Sequence, residues 1–181
     1  MKHKFYILSL PAILFFCLLL NTKVGAQAKA TLSDPQIASV AVVANQVDIQ
    51  AGELARQKSK NEAVRQFAQT MITDHQSVIA QATALVKKLN VTPESNALGR
   101  QLAAQGQKTR RTLRSKSGRS FDKAYIDNEV AYHKAVIAAV NDTLIPQSQN
   151  GELKALLQSV LPVLRTHLEH AEMVQKQLGG K

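Results

Sequence analysis

The sequence predicts an all-α fold: a four-helix bundle of the ferritin-like arrangement, two antiparallel hairpins joined by one long crossover that carries an extra helix. Apolar residues recur at three-and-four spacing from residue 34 onward, and no stretch alternates with the period of a strand. The 181 residues include no Trp and only 8 Gly, so little interrupts long helices. The connections between helical stretches run short, long, short. Short turns make antiparallel neighbours, and one long connection separates this pattern from simple up-and-down growth.

The first helix starts at "SDPQ", where Asp34 suits the N-cap and Pro35 the first helical position. Its face is Ile37, Val40, Ala41, Ala44, Val47, Ala51, Leu54 and Ala55, ending near Lys58. Ser59 or Asn61 caps the second helix, whose face runs from Val64, Phe67 and Met71 through Val78, Ala82 and Leu89 until Pro93 stops it. A weaker, charged helical segment spans residues 94–116 with Leu98, Leu102 and Leu113, and "SKSG" breaks it at Gly118. Ser120 is the expected cap of the third bundle helix, which presents Phe121, Tyr125, Ile126, Val130, Val136, Val140 and Leu144 before the turn "PQSQNG". Asn150 caps the fourth, with Leu153, Leu157, Leu164, Ala171 and Val174 inward and a kink expected at Pro162. A single domain over residues 34–178 follows.

Residues 1–26 read differently. Lys2 and Lys4 precede an apolar run from Phe5 to Leu20, and small residues offer cleavage after Ala26 or Ala28: a secretory signal peptide. Export to the periplasm, or association with an outer membrane, is the expected location. Cys17 is the only cysteine and leaves with the signal, so no disulfide holds the mature domain. The formal charge is +10; removing Lys2, Lys4 and Lys23 leaves +7. No base-reading module is present, and nucleic acid is not an expected partner.

Four polar positions interrupt the apolar stripes. On wheels of about 100° per residue, His75 lies among Met71, Ile72, Val78 and Ile79, and His133 among Val130, Val136, Ile137 and Val140, with Glu129 one turn earlier. His167 lies among Leu164, Ala171 and Val174, with His170 at the stripe edge. Asp48 lies among Ala41, Ala44, Ala51 and Ala55, whereas Glu53 points away. At about 1.5 Å per residue, Asp48 and His75 stand roughly 15 and 21 Å from the turn their helices share. Glu129, His133 and His167 reach a similar height from the other turn. One mid-bundle layer is therefore expected. Burying so many polar groups is costly unless they pair or share a cation. Asp48, His75, Glu129, His133 and His167, with His170 peripheral, are candidate ligands for a transition metal (Zn, Cu, Fe or Mn). A metal-free layer that satisfies its own hydrogen bonds is the other reading, and the two are compatible because carboxylates orient ligating histidines.

No catalytic motif stands out; a redox enzyme with a bound metal would need an open coordination position and substrate access, and the sequence shows neither. There is no Gly-rich phosphate loop, and Ser77 lies two residues from His75, a spacing that a helix points apart. Tyr125 and Tyr132 read as packing or rim residues. Lys108, Arg110, Arg111, Arg114, Lys116 and Arg119 crowd one segment. A solvated face accounts for them; contact with an anionic envelope surface is the sharper idea.

Three blocks, "DIQAGELARQKSKNEAVRQFAQTMITDH", "FDKAYIDNEVAYHKAV" and "LKALLQSVLPVLRTHLEHAE", resemble a bacterial family of exported ferritin-like four-helix proteins, a domain of unknown function whose members are often called predicted outer membrane proteins. The resemblance spans roughly Pro35 to Leu178 and rests on Asp48, Asp74-His75, Phe121-Asp122, Tyr125, His133, Leu161-Pro162 and His167. It implies the fold and export but no established activity. Ferritin di-iron sites use Glu-x-x-His pairs. Here Ile72 stands three before His75 and Leu164 three before His167, so ferroxidase chemistry is not expected and a mononuclear, histidine-rich site fits better. Envelope metal homeostasis or stress defence is the role this suggests, with a structural or interaction bundle as the alternative.

Overall fold

A computed structural model describes residues 31–180; the expected signal peptide lies outside them. The helices are α1 (Asp34–Lys58), α2 (Glu62–Lys88), α3 (Ala97–Arg114), α4 (Gly118–Ala139) and α6 (Gly151–Gly179). A π-helical turn (Val140–Leu144) and the short α5 (Ile145–Gln147) extend α4 before the last turn. No strand occurs among the described residues. The bundle is all-α, as its periodicity predicts.

The helix ends shift by a residue or a few from their expected places. Ser33, not Asp34, caps α1 through a capping box with Gln36. Asp34 instead accepts the Gln149 and Asn150 backbone N–H groups at 2.9 and 2.8 Å, tying the α5–α6 turn to the start of α1. Asn61 caps α2 and Asn150 caps α6. Helix α4 begins before Ser120, at Gly118, whose φ of +51° suits a residue without a side chain. It also outlasts Leu144, where Ile145 bonds back five residues to Val140 one step ahead of Pro146, which has no N–H to donate. Helix α6 is continuous through Pro162, whose position is exposed.

Cross-helix bonds fix the directions. Arg65 donates to the Arg56 carbonyl at 2.6 Å, pairing α2 antiparallel to α1. Lys134–Glu172 (2.8 Å) and Gln175–Asp127 (2.8 Å) do the same for α4 and α6. Tyr132 donates to the Ala44 carbonyl at 2.7 Å while Lys58 lies 5.5 Å over the Phe121 ring, so α4 runs antiparallel to α1. Helices α2 and α4 then run the same way, which a short turn cannot achieve. Helix α3 is the return leg. It lies parallel to α1, held by Asn96 to the Gln36 carbonyl (3.0 Å) at one end and Lys58 to the Arg114 carbonyl (2.6 Å) at the other. Gly106 permits the approach, since a Cβ there would stand 2.7 Å from Val47 Cγ1.

The interior has two apolar halves. One, toward the α1–α2 turn, is filled by Phe67, Phe121 and Tyr125 with Met71, Leu113, Ile126 and Val174. The other, toward the α5–α6 turn, holds only aliphatic residues, including Ile37, Val40, Val140, Leu144, Leu153 and Leu157. The polar positions fall between them.

Candidate metal centre

Each helix delivers its polar residue inward because that residue replaces an apolar one on the buried stripe. Asp48, His75, Glu129, His133 and His167 are all buried, Glu129 and His133 completely. The three imidazoles form a triangle with ring centroids 5.8 Å (His75–His133), 5.2 Å (His75–His167) and 5.5 Å (His133–His167) apart. Each offers a nitrogen within 4.8 Å of those of the other two; Asp48, Glu129 and His133 meet the same limit.

The outer nitrogen of every ring is occupied. His75 Nδ1–H donates to Asn45 Oδ1 at 2.6 Å, and the Asn45 amide is itself oriented by donation to the Ala41 carbonyl at 2.8 Å. His133 Nδ1–H donates to the Glu129 carbonyl at 2.9 Å. His167 Nε2–H donates to Asp74 Oδ2 at 2.9 Å. These acceptors place one proton on each outer nitrogen, so a neutral ring turns a lone pair inward. His75 Nε2, His133 Nε2 and His167 Nδ1 are buried without a hydrogen-bond partner, as are both Asp48 oxygens. His75 Nε2 and His133 Nε2 stand 3.1 and 3.6 Å from Asp48 Oδ2. Lone pair facing lone pair at these distances is relieved by a cation, either a proton or a metal ion.

The electrostatics agree. Burial, the largest influence on Asp48, pushes its carboxyl up, but His75, His133 and His167 together outweigh it and hold the group below the usual carboxylate range. Burial holds His133 and His167 below the ordinary imidazole value, against the pull of Asp48 on both and of Asp74 on His167. Glu129 is pushed well up by burial and by the neighbouring Asp48 charge. The centre thus sets three imidazoles beside one carboxylate, a donor set for borderline divalent metals.

Residues 19–174 match a family model described as a domain of unknown function, DUF4142. The chain belongs to the DUF4142 family. Among solved structures, one described as CopM in the Cu(II)-bound form is similar to 81% of this chain and 98% of its own, with a TM-score of 0.61 at 14% identity; the likeness is one of fold. No curated protein is similar in sequence.

In this DUF4142 bundle the structure brings together Asp48, His75, Glu129, His133 and His167. His170 stays apart, its ring edge-on to Phe67 with centroids 5.1 Å apart. Sequence reasoning left out two acceptors that orient the rings. Asn45 precedes Asp48 by three residues and stands among stripe alanines, a legible signal. Asp74 precedes His75 directly, so a wheel points it aside; only across the α2–α6 seam does it meet His167. Tyr132 borders the layer and holds α4 to α1. In the basic segment, Lys108, Arg111 and Arg114 are exposed, while Arg110 bonds Gln50 at 2.8 Å and Arg119 the Leu178 carbonyl at 2.9 Å. No helix of the described residues is long and apolar enough to cross a membrane.

Proposed function

We propose that this DUF4142 domain binds one divalent transition metal ion through His75, His133 and His167, with Asp48 completing the donor set, and serves as an exported metal-binding bundle in envelope metal homeostasis or stress defence. The observation that carries this reading is the set of three buried, inward imidazole nitrogens left without a partner while each ring's outer nitrogen is bonded. Metal-ligating histidines are held in this way. Copper and zinc suit such a set best; iron and manganese favour more oxygen donors. The CopM likeness supports copper as the first metal to try, since that fold was seen with Cu(II) bound. The signal-like residues 1–26 support export, and the up-down-down-up order of α1, α2, α4 and α6 supports ferritin-like kinship.

The direct test is elemental analysis of natively folded protein purified without a histidine tag, followed by calorimetric titration with Cu(II) and Zn(II). One equivalent should bind, and His75→Ala or His133→Ala should abolish it. Titration that yields no binding to wild-type protein sinks the proposal. A metal-free structural or interaction bundle is the second reading. The 3.1 Å between His75 Nε2 and Asp48 Oδ2 favours it, because one proton shared there would neutralise the layer without metal.

A further inference from the structure

The layer borders a hollow. A cavity of about 470 Å³ runs from the histidines into the aliphatic half of the bundle. Its walls come from α1 (Ala38, Ala41, Ala44), from α2, α4 and α6, and, through the crossover, from Leu98 and Leu102 of α3. The aliphatic core around it has no counterpart to the Phe and Tyr side chains that fill the other half, and Tyr132 borders the cavity only beside His133. Where packing calls for bulk, α1 supplies alanines.

The shape follows from which residues line it. On α1 the walls extend from Ala38 to Ala51, on α4 and the π-helical turn after it from Asn128 to Leu144, and on α6 from Leu153 to His167. At about 1.5 Å per residue these stretches measure roughly 20 to 24 Å along the bundle axis, the polar layer included. The volume is about three times that of an engineered 150 Å³ cavity that takes up benzene, room for on the order of a dozen or more carbon atoms. Long, narrow and apolar with polar groups at one end describes a site for an extended chain better than for a compact ring system. Leu98 and Val163, two large apolar side chains that remain exposed, border the cavity and mark where such a chain would enter.

We propose that the cavity is a binding site for one linear alkyl chain of about twelve carbons, as in a fatty acid or fatty alcohol, lying along the bundle axis with its oxygen-bearing head at the histidine layer. The tail needs no metal. The orientation of the head rests on the proposed metal site, because a carboxylate gains a partner at the layer only when a cation offsets Asp48.

A chain-length series on delipidated wild-type protein tests the tail. Butanol, octanol, dodecanol and hexadecanol, titrated by calorimetry, should bind one per chain with affinity rising at least tenfold from octanol to dodecanol and then levelling. Ala41→Leu, which narrows the cavity about 10 Å from Asp48, should weaken dodecanol at least tenfold and leave metal titration unchanged. Absence of stoichiometric dodecanol binding to wild type overturns the proposal whatever the metal does. Zinc should strengthen dodecanoate at least tenfold and leave dodecanol unaffected; if both alcohol and acid ignore bound zinc, the head lies elsewhere and that part of the proposal fails. If no metal binds while dodecanol does, the metal reading falls and the alkyl site stands.

Discussion

Ala41→Leu also tests whether the cavity is real space, by its effect on stability. The 470 Å³ hollow opens beside Leu98 and Val163, so it costs less than the roughly 11 kcal/mol that a sealed, dry cavity of that size would at about 24 cal/mol per Å³. Even a part of that is a large fraction of the net stability of a typical domain, 5–15 kcal/mol. Leucine at position 41 adds three carbons to the hollow. At about 0.8 kcal/mol per buried methylene, less about 0.5–1 kcal/mol of rotamer entropy, metal-free and ligand-free protein should gain about 1.5–2 kcal/mol. For a domain of this length that raises Tm by about 3–8 °C, read by calorimetry or circular dichroism at pH 7 on delipidated protein. If position 41 were packed instead, the extra carbons would overfill the core and cost 1–3 kcal/mol. A lowered Tm would therefore refute the hollow and, with it, the reason for expecting a ligand there.

Metal loading should stabilise the bundle by about 2.7 kcal/mol at a free metal concentration a hundredfold above Kd, raising Tm by about 5–11 °C; chelation should reverse this, and His133→Ala should show no metal response. Asp74→Ala and Asn45→Ala, which free the outer nitrogens of His167 and His75, should each weaken metal binding 10- to 100-fold in calorimetric titration. Acid should destabilise the metal-free protein. His133 and His167 are held below 6.5, so as pH falls through that value the unfolded chain takes up protons ahead of the fold and stability declines. Glu129, raised well above 4.5, opposes them by binding its proton in the fold at a pH where the unfolded chain has released it. Stability should therefore fall with acid below pH 6.5, and Glu129→Gln should steepen the fall in denaturant titrations.

Much of this was legible because helical periodicity is strong and the layer's residues violate it. A buried stripe of Val, Leu and Ala makes His75 or Asp48 conspicuous, and counting residues from the turns puts all five at one height. The cap positions were less legible: Ser33 and Asp34 both suit an N-cap, and only the α5–α6 turn, packed against Asp34, decides between them. Asp74 could not be assigned a role from its own helix, since its partner lies 93 residues away on α6. The cavity was hidden for a similar reason. Ala41 and Ala44 read as ordinary core on a wheel, and nothing local says that the helices opposite fail to fill the space they leave.

That last point bears on why layer and hollow are adjacent. A histidine cluster forms between helices at ordinary packing distance, axes about 8–10 Å apart, and the alanines near Asp48 would permit the helices to close around it. Instead α3 lies along α1, with Gly106 set against Val47, and its Leu98 and Leu102 line the hollow. A purely structural polar layer would call for neither this wall nor the space beside it, since collapse of the aliphatic half would bury more apolar surface and leave the layer's hydrogen bonds intact. The crossover helix thus acts as more than a connection: it walls a volume that the sequence leaves empty beside the polar groups. Holding that volume open is what a site for an incoming molecule requires, and it is the feature that a self-satisfied layer leaves without a reason.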